Sequence, residues 1–415
     1  MLELQKLHEK TYNLITLVLY QRVTKNSAAA DKVANYCLIQ LLHKKKLLDK
    51  VICLRHTLGD DFEGLKIVSI GRSPIFFLAN KLFRLAKRII GNFGGRYYLE
   101  MIFDRLAWYH INKKKTKLIY ATKPAIPYTF KKCHAHQIKT ILRTPIAHPL
   151  YNYFLVRNEE QKFGLKNQGS YSSIKRANKI TKCLHSAHRI LVNNVTSEPE
   201  FLLKTYLPYF EPDAIIPYRQ VYVKPATRTD SIVALEKNIP RFVQVAHLNL
   251  IKGTPYLLEA WKLFQESYPN RAELLLVGAL DKNLRKALSI KGLDKLANVK
   301  MVGFQKNPFA KYQNASAFIL SSLSEGGPAT LLEALGAGVP VITSKNSGLS
   351  NVVEDGINGF TYEFNDIKRL SELFLWFVEN QERLPKMREN AIHSAETFGC
   401  DHYQDEIWPI IKDLL

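Results

Sequence analysis

The sequence predicts an α/β protein made of two parallel-sheet halves in tandem. Three observations carry this expectation. Short apolar runs bounded by small polar residues alternate with amphipathic stretches along the chain, and the alternation restarts after a region rich in Pro, Thr and Asp between residues 213 and 240. The 415 residues also leave room for two domains of about 200 residues each.

In the first half, "YNLITLVLY" reads as a strand, "SAAADKVANYCLIQLLHKKK" as an amphipathic helix, and "KVICLRH" and "LKIVSIG" as two further strands. Helical segments from Pro74 to His110 precede the strand "KLIYAT", a helix to about Gln137, and the strand-to-turn segment "KTILRTPIAHP". A helix near Lys175 to Leu184, the strand "RILVNN" and the helix "EPEFLLKTYL" complete this half, and the linker follows. The second half repeats the order with "RFVQVAHL", "PYLLEAWKLFQESY", "AELLLVG", a lysine-rich helix and "NVKMVG". These readings divide the chain into a first domain over 1–225, a second over 226–397, and a final helix over 398–415 that is expected to pack back on the first. Ligands of such folds bind outside the carboxyl ends of the strands, which places a site in the cleft between the two sheets.

The stretch "SEGGPATLLEALGAGVPVITS" shows what that site can bind. "AFILSS" before it is the pattern of a buried parallel strand; Pro328 suits the first position of a helix, and Gly336 or Gly338 can end it before the strand "VPVITS". Glu325 then sits on the strand-to-helix turn and Glu333 on the second turn of the helix, with its side chain leaning back toward the same opening. Unpaired backbone N–H groups and the positive end of the helix dipole favour a phosphate there. A ligand with phosphate in its middle and hydroxyls at both ends fits this pattern. A nucleotide-sugar is such a ligand.

Charge and composition narrow the classes. Residues 1–230 hold 39 Lys and Arg against 16 Asp and Glu, a net of +23, whereas residues 231–415 hold 20 against 21. A field of that size attracts anionic surfaces or acceptors, and anionic lipid headgroups are the expected surface, with "HKKKLLDK", "KLFRLAKRI" and "NKKKTK" as the basic clusters. No zinc pattern or RNP-type aromatic stripe supports nucleic acid. No run approaches the ~18 apolar residues of a membrane span, and no signal-peptide pattern opens the chain. Five cysteines lie far apart without a CxxC pair, so neither a disulfide framework nor a zinc site is expected. The expected location is the cytoplasm, with peripheral association at the inner face of the membrane. The absence of G-x-G-x-x-G after a first strand disfavours a dinucleotide dehydrogenase.

Five blocks of the second half, "VAHLNLIKGTPYLLEAW", "AELLLVG", "NVKMVGF", "ASAFILSSLSEGGPATLLEALGAGVPVITS" and "GLSNVVEDGINGFTYEFND", resemble in order and spacing the donor domain of retaining glycosyltransferases of family 4 (glycosyl transferases group 1). The resemblance covers about 150 residues; the first half matches only loosely. It implies the GT-B arrangement of two facing Rossmann-like domains, and a hexose-type sugar passing with retention from a UDP- or GDP-sugar to a hydroxyl of a glycan or lipid-linked acceptor. Lys252 then meets the donor diphosphate, Glu333 the ribose hydroxyls, and Glu325 the donor sugar beside the backbone of Gly326 and Gly327. Thr330 and Leu331 join the donor site, and Gly303 ends the turn against which the base lies. His148, in "RTPIAHPLYNYF", falls where related enzymes have a histidine lining the cleft.

Departures accompany the matches. His247 stands where the family often has arginine, Pro328 removes one backbone donor from the turn, and "QRVTKNSAAADK" offers Ser27 and three alanines in place of a glycine-rich loop. No Asp-x-Asp pair ends a strand, so neither a metal nor a tightly bound cofactor is expected. Two other readings stay open. One is a binding or partner subunit with a degraded site, and the other an epimerase or phosphorylase relative.

Overall fold

The computed structural model describes residues 14–24, 30–58, 61–123, 125–144, 146–165, 173–194, 201–219, 221, 239–305 and 315–415, without the side chains of 30–31 and 86–95. The loop carrying Ser27 and most of the expected linker lie outside the described residues.

The first half runs β1 (Ile15–Thr24), α1 (Ala30–Lys44), β2 (Leu48–Thr57), β3 (Lys66–Ser69), α2 (Pro74–His110), β4 (Leu118–Thr122), α3 (Pro127–Ala135), β5 (Lys139–Thr144), α4 (Pro149–Lys162), α5 (Ile174–His185), β6 (Arg189–Asn193), α6 (Phe201–Tyr206) and β7 (Ile215–Tyr218). The second runs β8 (Arg241–Val245), α7 (Thr254–Ser267), β9 (Glu273–Val277), α8 (Lys282–Ile290), β10 (Val299–Gly303), β11 (Ala317–Leu320), α9 (Ala329–Gly336), β12 (Val341–Ser344), β13 (Gly359–Tyr362), α10 (Ile367–Glu379), α11 (Leu384–Glu396) and α12 (Cys400–Asp413).

Two parallel sheets result, with strand orders β3-β2-β1-β4-β5-β6-β7 and β10-β9-β8-β11-β12-β13. The central strands are apolar on both faces: Leu118 to Ala121 and Ala317 to Leu320 are all buried, as strands covered by helices on both sides must be. The expected linker is shorter than the composition implies, because Ile215–Tyr218 pairs with β6 as the edge strand β7. Edge position explains how Pro217 is accommodated, since an edge strand has no second neighbour to which its missing N–H would donate.

Helix α2 is not straight. The rings of Phe83 and Tyr98 stack with centroids 5.6 Å apart, whereas a straight helix would separate these positions by about 22 Å. The helix therefore bends sharply between these two positions. The second half buries Phe103 and Ala107 against the sheet, and Asp104 caps α3 by accepting from the N–H groups of Tyr128 and Thr129 at 2.8 and 2.9 Å.

The last helix, α12, buries Tyr403, Ile407 and Ile411 in the same core as β1, β4 and α1, and the Tyr403 hydroxyl meets that of Tyr120 at 3.3 Å. A disulfide joins Cys37 of α1 to Cys400 of α12. Sequence spacing, from which no disulfide framework is expected, gives no sign of this one bond: the two cysteines lie 363 residues apart, and the docking of α12 brings them together. Cys53, Cys133 and Cys183 are free and buried.

The carboxyl ends of the two sheets face each other. Asn193, at the end of β6, donates through Nδ2 to the Gly348 carbonyl beyond β12 at 3.2 Å. A Cβ on Gly348 would lie 2.5 Å from the Leu202 side chain and 2.1 Å from the Gly326 carbonyl, so only glycine lets the halves approach there. Farther out, Phe163 and Leu165 beyond α4 join the core of the second half, and Tyr256 donates to Glu159.

Candidate active site

The site begins with a loop held against the end of a strand. Beyond β8 the chain passes through Ala246 to Gly253, and Gly253 adopts φ +65° with its missing Cβ only 1.7 Å from the Ser321 carbonyl. No other residue fits there without moving the loop. Gln244, a polar residue 1% exposed within β8, donates through Nε2 to the Lys252 carbonyl at 3.2 Å and to Ser321 Oγ at 3.0 Å. Ser321 Oγ donates to that same carbonyl, and the Leu323 N–H donates to the Ile251 carbonyl at 2.8 Å. The Lys252 N–H is taken by Asn249 Oδ1. Every one of these bonds fixes the backbone from which the Lys252 side chain projects.

That side chain forms an ion pair with Glu325, the two side chains being 27% and 19% exposed. Burial draws the Lys252 ammonium down from its ordinary value to about 8. Glu325 is itself fixed by a second loop: its N–H donates to the Asn346 carbonyl at 3.1 Å, and its carbonyl accepts from the Gly348 N–H at 3.0 Å. Asn346 Nδ2 donates to the Leu323 carbonyl. A cation and a carboxylate from two loops are thus held together at the cleft end of the second sheet.

Helix α9 follows directly. Pro328 is its N-cap rather than its first residue, a shift of one position from the sequence expectation, and Gly338 at φ +72° follows its C-terminal end. Leu331 is fully buried, while Thr330, Gly327 and Glu333 are half-buried and Gly326 is buried. Glu333 stands on the second turn, as its spacing predicts. Gly303 ends β10 at φ +70°, with open space beside it, and its carbonyl accepts from the Gly278 N–H at 2.8 Å. His247 is exposed on the loop beyond β8.

His148 requires a correction. Its backbone lies where the sequence places it, beyond β5 at the N-terminus of α4, and its N–H donates to Thr205 Oγ1 at 2.9 Å. The ring, however, is fully buried and does not open onto the cleft. It stacks on Tyr209 at 3.9 Å, with Tyr206 and Phe210 around it, and neither ring nitrogen has a hydrogen-bond partner among the described residues. Burial, aided by His185, pushes its pKa down to about 4, so the imidazole is neutral at pH 7.

Two of the three basic clusters lie away from the cleft. Lys44 to Lys46 precede β2 and Lys113 to Lys115 precede β4, so both lie at the amino ends of the parallel strands, opposite the cleft. The cleft end instead holds a group that sequence reading missed. Glu100, 1% exposed, pairs with Arg176 at 3.0 Å, with Lys179, and with Arg96 at 3.1 Å. Burial alone would raise the Glu100 carboxyl, but Arg176, Lys179 and Arg96 hold it below its usual range. Its only sequence signal is that it is one of two carboxylates, with Asp104, in a long basic helix.

Residues 227–394 match the family described as Glycosyl transferases group 1. An uncharacterized glycosyltransferase of Haemophilus influenzae is 29% identical over 170 residues, covering 40% of this chain and 46% of that protein. The alpha-monoglucosyldiacylglycerol synthase of Acholeplasma laidlawii is 30% identical over 176 residues, covering 42% of this chain and 43% of its own. The chain thus matches less than half the length of either relative. The crystal structure of Anabaena Alr3699/HepE in complex with UDP and glucose superposes with a TM-score of 0.62 over 97% of this chain and 100% of that one, at 16% identity. Two Rossmann-like parallel-sheet domains facing across a cleft, the GT-B architecture, are therefore common to both.

Proposed function

We propose that this chain transfers a hexose-type sugar from a nucleotide-diphosphate sugar to a hydroxyl of a glycan or lipid-linked acceptor, with retention at the anomeric carbon. The observation that carries the reading is the Lys252–Glu325 pair at the cleft end of the second sheet, inside the stretch that matches the glycosyl transferases group 1 family. UDP and glucose in the HepE structure favour a uridine donor, and the glucolipid named in the Acholeplasma relative agrees with a lipid acceptor.

The chemistry follows from charge. An entering diphosphate carries more negative charge than one carboxylate and competes for Lys252, with the N-terminal end of α9 as a further attraction. Glu325, released from the lysine, is free to accept from sugar hydroxyls, while Glu333 accepts from the ribose. The bond between the anomeric carbon and the phosphate oxygen breaks as the acceptor oxygen bonds to the same face of that carbon, and the acceptor's proton passes to the leaving phosphate. Rate then depends on positioning and on stabilising charge at the diphosphate. Neutral His148 acts from behind the cleft wall, holding Tyr206 and Tyr209 in place.

The test is a panel of UDP- and GDP-sugars read by thermal stabilisation, since ligand at about 100 times its dissociation constant adds roughly 2.7 kcal/mol. Stabilisation by one donor, with nucleotide release that needs an added acceptor, is the expected result. Stabilisation without turnover would favour a partner subunit, a reading to which exposed His247 in place of arginine lends weight. No stabilisation by any donor would overturn both.

A further inference from the structure

The first half of α2 carries an apolar ridge that is left largely exposed among the described residues. Ile75, Leu78, Leu82 and Leu85 are 63, 57, 55 and 71% exposed, and Phe77 beside them is 60% exposed. Their spacing of three, four and three residues aligns them on one face of a helix. Phe76 points the opposite way and is buried, so this arm is anchored by one side and bare on the other. Exposed Lys81 and Arg84 lie between the ridge residues. From Gly64 to Leu99 the chain has seven Lys and Arg and no Asp or Glu.

Large apolar side chains are seldom left bare in a contiguous row on a free surface. A second copy of this arm is a poor cover, because pairing two ridges would set Lys81 and Arg84 against their own kind. A surface apolar at depth and negative at its face matches both features. The arm also starts at the carboxyl end of β3, on the cleft side, unlike the lysine clusters at 44–46 and 113–115.

We infer that the first arm of α2 is a membrane-docking element, in which Ile75, Phe77, Leu78, Leu82 and Leu85 enter the acyl boundary of an anionic bilayer while Lys81 and Arg84 meet lipid phosphates. No helix among the described residues is long and apolar enough to cross a membrane, so this contact lies in the interface plane. The inference goes beyond the reading of the cleft and does not depend on it, since docking requires neither Lys252 nor Glu325.

The experiment is co-sedimentation of the full chain with phosphatidylcholine vesicles, with and without phosphatidylglycerol. Wild-type protein should pellet with the anionic vesicles and not with the neutral ones. Leu82→Ser with Leu85→Ser should lower partitioning about tenfold or more, and Lys81→Glu with Arg84→Glu should abolish the preference for anionic lipid. Both variants alter exposed side chains, so an unchanged thermal midpoint shows that each is folded. Neutralising Lys113, Lys114 and Lys115 should have the smaller effect. Wild-type pelleting by the Leu82 and Leu85 variant would overturn the inference. So would equal pelleting with both vesicle types, or a wild-type dimer in solution that this variant dissolves, which would assign the ridge to self-association. Nucleotide binding, measured on the same samples, keeps failure here separate from failure of the cleft reading.

Discussion

Lys252 and Glu325, 73 residues apart in sequence, neutralise each other at the cleft end of the second sheet, each presented by a loop tied to the end of β11. The sequence assigns them separate duties toward a donor. The fold makes them competitors, because Lys252 meets a diphosphate fully only when it gives up the carboxylate.

Substitution separates the two. Lys252→Ala removes a charge-assisted contact worth roughly 1.5 to 3 kcal/mol, so affinity for a nucleoside diphosphate should fall at least about tenfold. Glu325→Gln leaves the lysine unpaired, so UDP should bind as tightly as before or more tightly while transfer drops. Calorimetric titration of both variants checks this, and weaker UDP binding by Glu325→Gln would show that the pair positions the lysine. His247→Arg should tighten UDP in the same assay.

The pH dependence has a definite sign. Burial lowers the Lys252 ammonium to about 8 from 10.5, so UDP affinity should decline as pH rises through 8. Between the folded and unfolded values the unfolded chain binds more protons, and this group's contribution to stability rises with pH across that window. Lys252→Arg should flatten the affinity profile between pH 7 and 9, as a guanidinium stays charged. His148 acts on the acid side: lowered to about 4 from 6.5, it contributes stability above 6.5 that is lost as pH falls toward 4. His148→Phe should reduce that acid slope in denaturant melts.

Gly253→Ala tests the loop. At φ +65°, with a new Cβ 1.7 Å from the Ser321 carbonyl, the loop has to move. A stability loss above ~2 kcal/mol is expected, together with UDP binding as weak as that of Lys252→Ala. A variant that binds UDP normally would detach Lys252 placement from this contact.

The Cys37–Cys400 link ties the last helix to the first domain. Reductant, or Cys400→Ser, should lower stability by about 2 to 4 kcal/mol and reduce the thermal midpoint by several degrees. An unchanged midpoint, with five thiols rather than three titrating in denaturant without reductant, would show that Cys37 and Cys400 are not joined.

The alternation of apolar strands with amphipathic helices determined both sheets except for their edge strands β7 and β13, because burial on two faces leaves a signature within four or five residues, as in "AFIL" and "LIYA". It likewise determined the turn-and-helix that presents Glu325 and Glu333, whose breakers are local. Gln244 was legible as a polar residue inside "RFVQV", although its partners were not. Tertiary structure alone decided the pairing of Lys252 with Glu325, the closing of Cys37 on Cys400, the burial of His148 under Tyr209 and the recruitment of Ile215–Tyr218 as an edge strand. It alone also put the lysine clusters and the bare ridge of α2 at opposite ends of the first sheet. The physical reason is common to all of these. Periodicity records which face of an element avoids water, but what covers that face is set by segments tens to hundreds of residues away, through packing that leaves no local mark.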